Sequence, residues 1–258
     1  MRSDVREQLL QVNRAFYQTL GEAYADTRPK PQPGVQRVVD RINTDATVLD
    51  VGCGHGLVAE ALSRAGFRGR YLGVDSSEPL LSRARQQALA PWADFRLADV
   101  SHPDWRRHAE LVPDAFDWVL AFAVLHHLPG EALRLRFASD LGVCLRPSGM
   151  AAVSAWDFTR SARLRQRVVD WSAIGLAASD LDPGDALLDW RSGGYGLRYV
   201  HHFTPDKLTD LAQRAGLEVA ETYRRDGEDG QLGLYQIWRR AAVSPGDVVK
   251  SALRERRV

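Results

Sequence analysis

The stretch Val48-Leu49-Asp50-Val51-Gly52-Cys53-Gly54-His55-Gly56 constrains the fold more than any other part of the chain. It begins as an apolar strand and ends in glycines at alternate positions. A helical pattern (Leu57, Val58, Ala61, Leu62) follows at once. Strand, glycine turn and helix together bring backbone close to a nucleotide-like ligand. Glycine is needed there because φ is positive or because a ligand occupies the space of a Cβ.

The chain around this stretch reads as alternating strands and helices. An amphipathic helix is expected over 4–21, then an extended segment with prolines at 29, 31 and 33, then a second helix over 34–43. Residues 1–44 would thus form an N-terminal helical cap. Strands are expected at 47–51, 71–74, 94–97, 116–121 and 150–156, with helices at 57–66, 78–90 and 130–144 between them and a turn at 146–149. Such alternation implies right-handed βαβ crossovers and a doubly wound, mostly parallel α/β sheet over 45–242. Residues 158–200 break the rhythm with a helix over 160–175 and a loop rich in Asp and Gly, an insertion of the kind that shapes pockets. A helix at 204–216 and two late strands, 217–223 and 232–238, would close the sheet with an antiparallel hairpin. The tail 243–258 is expected to fray or to pack only in part.

Composition narrows the function classes. Among 258 residues the formal net charge is +1, which argues against a broad polyanion-binding face. Two cysteines supply neither a disulfide framework nor a metal cluster. The start of the chain is polar, and no apolar run approaches the ~20 residues that span a bilayer. A cytoplasmic protein without a membrane partner is the expectation. The paired histidines 126/127 and 201/202 have no acids at ligand spacing, so no metal is expected.

Acidic residues close the first three strands: Asp50, Asp75 and Asp99. A lone strand-end Asp is usually a helix N-cap. Three after one glycine turn read instead as the rim of a ligand site, since doubly wound sheets bind at the carboxyl ends of their strands. A dinucleotide-binding dehydrogenase has G-x-G-x-x-G spacing. This chain has Gly52-x-Gly54-x-Gly56 with Asp50 two residues before.

That pattern resembles the class I S-adenosylmethionine-dependent methyltransferases over residues 45–156. Val48–Gly56 is similar to their first motif, Val74–Ser76 to their ribose acid, Ala98–Val100 to their adenine-side motif, and Phe116–Leu128 to their fourth-strand motif. Leu145–Gly149 is similar to the turn before their fifth strand, with Ser148 where the family usually has glycine. The resemblance implies a Rossmann-like seven-stranded sheet and S-adenosyl-L-methionine as cofactor. It also implies roles. Tyr24, Gly52, Cys53, Gly54 and Gly56 would line the cofactor, and Asp50 would anchor the loop or the methionine amino group. Asp75 and Ser76 would face the ribose, and Asp99 and Val100 the adenine. Ala121, Phe122 and Ala123 would flank the sulfonium.

Ala25–Pro31 and Arg198–Phe203, outside this core, and Ala123–Leu128, within it, resemble segments of the wobble-uridine tRNA methyltransferases, which esterify a carboxymethyl group. That resemblance places Arg198–Phe203 at the opening of the helix before the sixth strand. It implies tRNA as partner, with a small helper protein or a homodimer, and makes Arg28, Arg198 and His201 the candidates for orienting the carboxylate. His126 is a candidate for a substrate or catalytic role, against packing or capping. A small-molecule O- or N-methyltransferase is the alternative, and a non-catalytic cofactor-binding regulator the second one.

Overall fold

The computed structural model describes residues 1–87 and 91–241. Its strands are β1 (Thr47–Val51), β2 (Arg70–Asp75), β3 (Ala93–Leu97), β4 (Phe116–Phe122), β5 (Leu145–Trp156), β6 (Val168–Val169), β7 (Asp185–Trp190), β8 (Gly196–His201), β9 (Leu217–Arg225) and β10 (Gly233–Arg240). Seven of them form one sheet in the order β3-β2-β1-β4-β5-β10-β9. The pairs from β3 to β5 are parallel, and β10 runs antiparallel to both β5 and β9. This is the Rossmann-like doubly wound fold with a late antiparallel hairpin.

β1 shows why the sheet is buried on both sides. Its alternate residues point to opposite faces. Leu49 and Val51 enter one core with Val119, Ala121 and Val153, whereas Val48 enters the other with Leu120, Ala152 and Ile237. A strand flanked by helices on both faces reads as a continuous apolar run for that reason. Strand order reverses between β1 and β4, so their carboxyl ends open a crevice.

The helices are α1 (Ser3–Asp26), α2 (Pro33–Val39), α3 (Leu57–Arg64), α4 (Glu78–Gln86), α5 (Trp105–His108), α6 (Glu131–Cys144), α7 (Ala162–Arg165) and α8 (Pro205–Arg214). No helix among the described residues is long and apolar enough to cross a membrane. α1 runs past Gly21, where the sequence pattern ends it. A Cβ at Gly21 would sit 3.3 Å from Leu80 Cγ. Close packing of α1 on α4 thus offsets the ~1 kcal/mol that glycine costs a helix. The far end of the helix expected over 78–90, and the tail 243–258, lie outside the described residues. The turn expected at 146–149 is drawn into β5 as an irregularity: Leu145 pairs with Phe116 and Met150 with Trp118.

The insertion differs most from expectation. The helix expected over 160–175 shrinks to α7, followed by β6 and a 3-10 turn at Trp171–Ile174. β6, β7 and β8 make a separate antiparallel sheet, in which Val168 and Val169 pair with Leu188 and Leu187. The segment expected to open a helix at 198–203 is therefore mostly strand, and α8 starts only at Pro205, capped by the Thr204 hydroxyl.

This small sheet and α1 form one roof over the crevice. Their joint is Asn13, buried on α1. Its Nδ2 donates to the carbonyls of His127 (3.1 Å) and Tyr199 (3.2 Å), and its Oδ1 accepts from Tyr199 N–H (2.9 Å). Asn13→Ala would strand the His127 carbonyl and the Tyr199 N–H, each costing ~1–3 kcal/mol, while Tyr199 O would keep the bond from His127 Nδ1. Allowing for relaxation, a loss of about 2–4 kcal/mol in urea unfolding is expected, and a loss under ~1 kcal/mol would mean that the joint is not structural.

Candidate active site

The glycine turn is held in place by backbone. Gly52, Gly54 and Gly56 all have positive φ (76°, 55° and 84°). Gly52 N–H and Cys53 N–H both donate to Val74 O, at 2.7 and 3.1 Å, which ties the turn to the end of β2. Gly54 N–H donates to Asp75 Oδ2 and Ser77 N–H to Asp75 Oδ1, both at 2.8 Å. A carboxylate has about four acceptor sites, so Asp75 keeps lone pairs on both oxygens for further donors. Burial pushes its pKa up, against the pull of the backbone N–H groups.

Asp50 is 2% exposed and accepts from Tyr71 O–H at 2.7 Å. Burial pushes its pKa up to about 7, against that hydrogen bond and with a smaller push from Asp75. The folded pKa lies above the unfolded value of about 3.9, so folding favours the protonated form. That stabilisation is complete below pH ~4 and is lost as pH rises through about 7. Asp50→Asn should therefore flatten the fall in thermal stability of the ligand-free protein between pH 5 and pH 8. A slope unchanged by the substitution would show that Asp50 ionises normally.

Asp99 accepts from Arg14 Nε of α1 at 2.9 Å and from Ser101 N–H at 2.8 Å. The roof is thereby clasped to the end of β3. Two joined cavities lie beneath it. One, about 170 Å³, is walled by Asp75, Ser76, Asp99, Val100 and Tyr17. The other, about 480 Å³, is walled by Asp50, Cys53, Arg28, Trp156, Trp190 and Arg198. Tyr24, Gly52, Gly54, Phe122 and Ala123 border both.

Thirteen of the residues singled out in the sequence therefore meet around one space: Tyr24, Arg28, Asp50, Gly52, Cys53, Gly54, Asp75, Ser76, Asp99, Val100, Phe122, Ala123 and Arg198. Four do not. A Cβ at Gly56 would lie 3.2 Å from Ala84 Cβ, so this glycine serves contact between α3 and α4. Ala121 is fully buried in the sheet core. His126 is fully buried between His127 and Trp156, its Nδ1 near Trp156 N–H at 3.4 Å, and burial holds it neutral. His201 turns its Nδ1 to Asp185 at 2.7 Å, outside both cavity walls.

Other wall residues carried little or no sequence signal. His127, rather than His126, borders the smaller cavity. Its Nδ1 is 2.9 Å from Tyr199 O, so the proton belongs there, and Nε2 accepts from Tyr17 O–H at 2.9 Å. Burial lowers its pKa to about 3, so it is a neutral strut. Trp156 closes β5 as Asp75 closes β2, and strand-end reasoning could have found it. Trp190 lies on β7, a strand that the sequence reading lacks.

The space suits a nucleoside carrying an amino-acid arm. A Cβ at Gly54 would meet nothing within 4 Å, so the open side of the turn is where a ligand can lie against backbone. Asp75 offers its free lone pairs to two vicinal hydroxyls, and buried Asp50 suits a cationic amine.

The comparisons agree with this geometry. A family model described as a methyltransferase domain matches residues 24–222. The ubiquinone biosynthesis O-methyltransferase of Xanthomonas euvesicatoria pv. vesicatoria is 31% identical over 203 residues, 76% of this chain and 70% of that one. The protein of the same name from Neisseria meningitidis serogroup C is 28% identical over 176 residues, 68% of this chain. The match covers 65% of that relative, just under two thirds of its length. Among solved structures, the fold is similar to that of Burkholderia thailandensis 1,6-didemethyltoxoflavin-N1-methyltransferase with bound S-adenosylhomocysteine. The TM-score is 0.65 at 18% identity, covering 94% of this chain and 92% of that one. Both curated relatives are named ubiquinone biosynthesis O-methyltransferases, and neither is named as a wobble-uridine tRNA enzyme. With its glycine turn, strand-end acids and matched domain taken together, the chain belongs to the methyltransferase-domain family.

Proposed function

We propose that the chain methylates an oxygen of a small aromatic molecule that enters the larger cavity. The observation that carries this reading is the position of that cavity. It joins the nucleoside-sized pocket at Phe122 and Ala123 and is roofed by Tyr24, Trp156 and Trp190. Aromatic walls favour a flat acceptor by offset or edge contact. The relatives named O-methyltransferases support oxygen as the acceptor atom.

When bound, the cofactor supplies an electrophilic methyl group on a sulfonium. The task left to the protein is positioning, worth up to ~7–11 kcal/mol when the reacting atoms are aligned. Asp75 and Ser76 would hold the ribose side, and Asp99 and Val100 the adenine side. Asp50, Gly52 and Gly54 would hold the amino-acid arm. α1, clasped by Arg14 and Asn13, keeps water out from above.

The test is incubation of the protein with labelled S-adenosylmethionine and, separately, phenolic metabolite pools and bulk tRNA. Label in the small-molecule fraction is expected. Label in tRNA alone would overturn the reading and restore the wobble-uridine one.

A further inference from the structure

Arg198 sits on β8 in the wall of the larger cavity and is 2% exposed. No hydrogen bond or ion pair to any of its three nitrogens is found among the described residues, and Nε and Nη1 are fully buried without a partner. A second buried arginine shows how unusual that is. Arg134, 5% exposed, donates from Nη1 to Leu128 O at 3.0 Å and places Nη2 3.6 Å from Asp182 Oδ2.

Four aromatic rings lie around the Arg198 guanidinium. Its Cζ lies 4.9 Å from the Phe16 ring centroid, 5.0 Å from Trp156, 5.0 Å from Trp190 and 5.8 Å from Tyr24. Each such contact is attractive but weak. Taking a charge out of water costs more than such contacts return, and the unmade hydrogen bonds add to that cost. The nearest acid of the same wall by sequence, Asp189 on β7, is already engaged by Arg167 (3.4 Å) and Arg191 (2.6 Å). Arg28, Lys30 and Arg163 line the same cavity, and no ion pair of theirs is present among the described residues. The chamber is therefore a positive, aromatic-walled space with one buried cation lacking its counter-charge.

We propose that the acceptor is an aromatic carboxylate whose anionic group docks on Arg198 between the rings of Trp156 and Trp190. This rests on the small-molecule reading and names its substrate class. A carboxylate there supplies the counter-charge that the guanidinium lacks and an acceptor for Nη2, the one nitrogen that is not fully buried, through a charge-assisted hydrogen bond. The flat ring lies against the indoles, and its distal end is left to reach toward Phe122 and Ala123.

The test is calorimetric titration of the protein loaded with S-adenosylhomocysteine, using 4-hydroxybenzoate and 4-hydroxybenzamide as probes of equal shape. The wild-type protein should bind the carboxylate at least ten-fold tighter than the amide, and the preference should shrink as salt is raised. Arg198→Met should abolish it, Arg198→Lys should restore part of it, and both should keep wild-type affinity for S-adenosylmethionine within about two-fold. Equal binding of the two probes by the wild type, or no saturable binding of the carboxylate at millimolar concentration, overturns the proposal without any variant. A preference that survives Arg198→Met also overturns it. So does an equal loss of cofactor affinity, which would assign Arg198 to the cofactor's own carboxylate. Methyl transfer to neutral phenols without charge preference would sink this proposal yet leave the small-molecule reading standing, whereas transfer to tRNA alone would sink that reading.

Discussion

Replacing Asp75 with alanine should weaken S-adenosylmethionine binding at least a hundred-fold. Two losses combine. The carboxylate lone pairs left free by Gly54 N–H and Ser77 N–H would be the acceptors for the two ribose hydroxyls. Hydrogen bonds to a charged group contribute ~1.5–3 kcal/mol each, so the pair accounts for a factor on the order of a hundred or more. The same substitution frees the Gly54 backbone, so the turn that should face the cofactor also loses its anchor. Calorimetry reads the affinity, and urea unfolding should show that the variant is still folded. Binding within five-fold of wild type would remove Asp75 from the site.

Gly54→Leu should be nearly as severe for binding and much milder for the fold. Gly54 has φ of +55° and borders both cavities, and a Cβ there meets nothing within 4 Å. A left-handed conformation costs a side chain ~1–2 kcal/mol, which sets the expected loss in stability. The side chain would then fill the neck between the nucleoside pocket and the acceptor chamber. Cofactor affinity should fall by on the order of a hundred-fold while the unfolding transition stays cooperative. Gly52 offers no such separation: its Cβ would lie 2.4 Å from Val124 Cγ2, so any substitution there disturbs packing first.

The placement of the strand-end acids around the crevice was legible because its rule is simple. Parallel strands carry apolar runs, and their carboxyl ends face the ligand, so Asp50, Asp75 and Asp99 could be placed once the runs were found. The acceptor half was not, because it hangs on the conformation of residues 158–201. Read as entering a helix, Arg198 and His201 are three residues apart and share a face. The segment is strand β8. In a strand, residues three apart point to opposite faces, so Arg198 enters the chamber and His201 turns to Asp185. β6, Val168–Val169, was missed for a different reason. A two-residue strand carries no period, and it exists because β7 lies beside it. In the same way the choice between His126 and His127 rests on a 3-10 turn and on Tyr17 and Tyr199, partners far away in sequence.

Tyr17, Trp156 and Trp190 belong to three separate elements, and nothing local in the sequence brings them together. They reach the walls of two adjoining cavities, where Asn13 and Arg14 fasten α1, which carries Tyr17, to the small sheet, which carries Trp190, and to the end of β3. The roof is thus the part of the protein where local sequence says least and tertiary packing decides most.

The most direct test of the central claim is a crystal structure of the complex with S-adenosylhomocysteine. The ribose hydroxyls should lie on Asp75 and the adenine beside Asp99 and Val100. The amino-acid arm should lie along Gly52–Gly54, and the sulfur should open toward Phe122, Ala123 and the chamber that holds Arg198. A nucleoside bound away from Asp75, or a sulfur turned away from that chamber, would contradict the account.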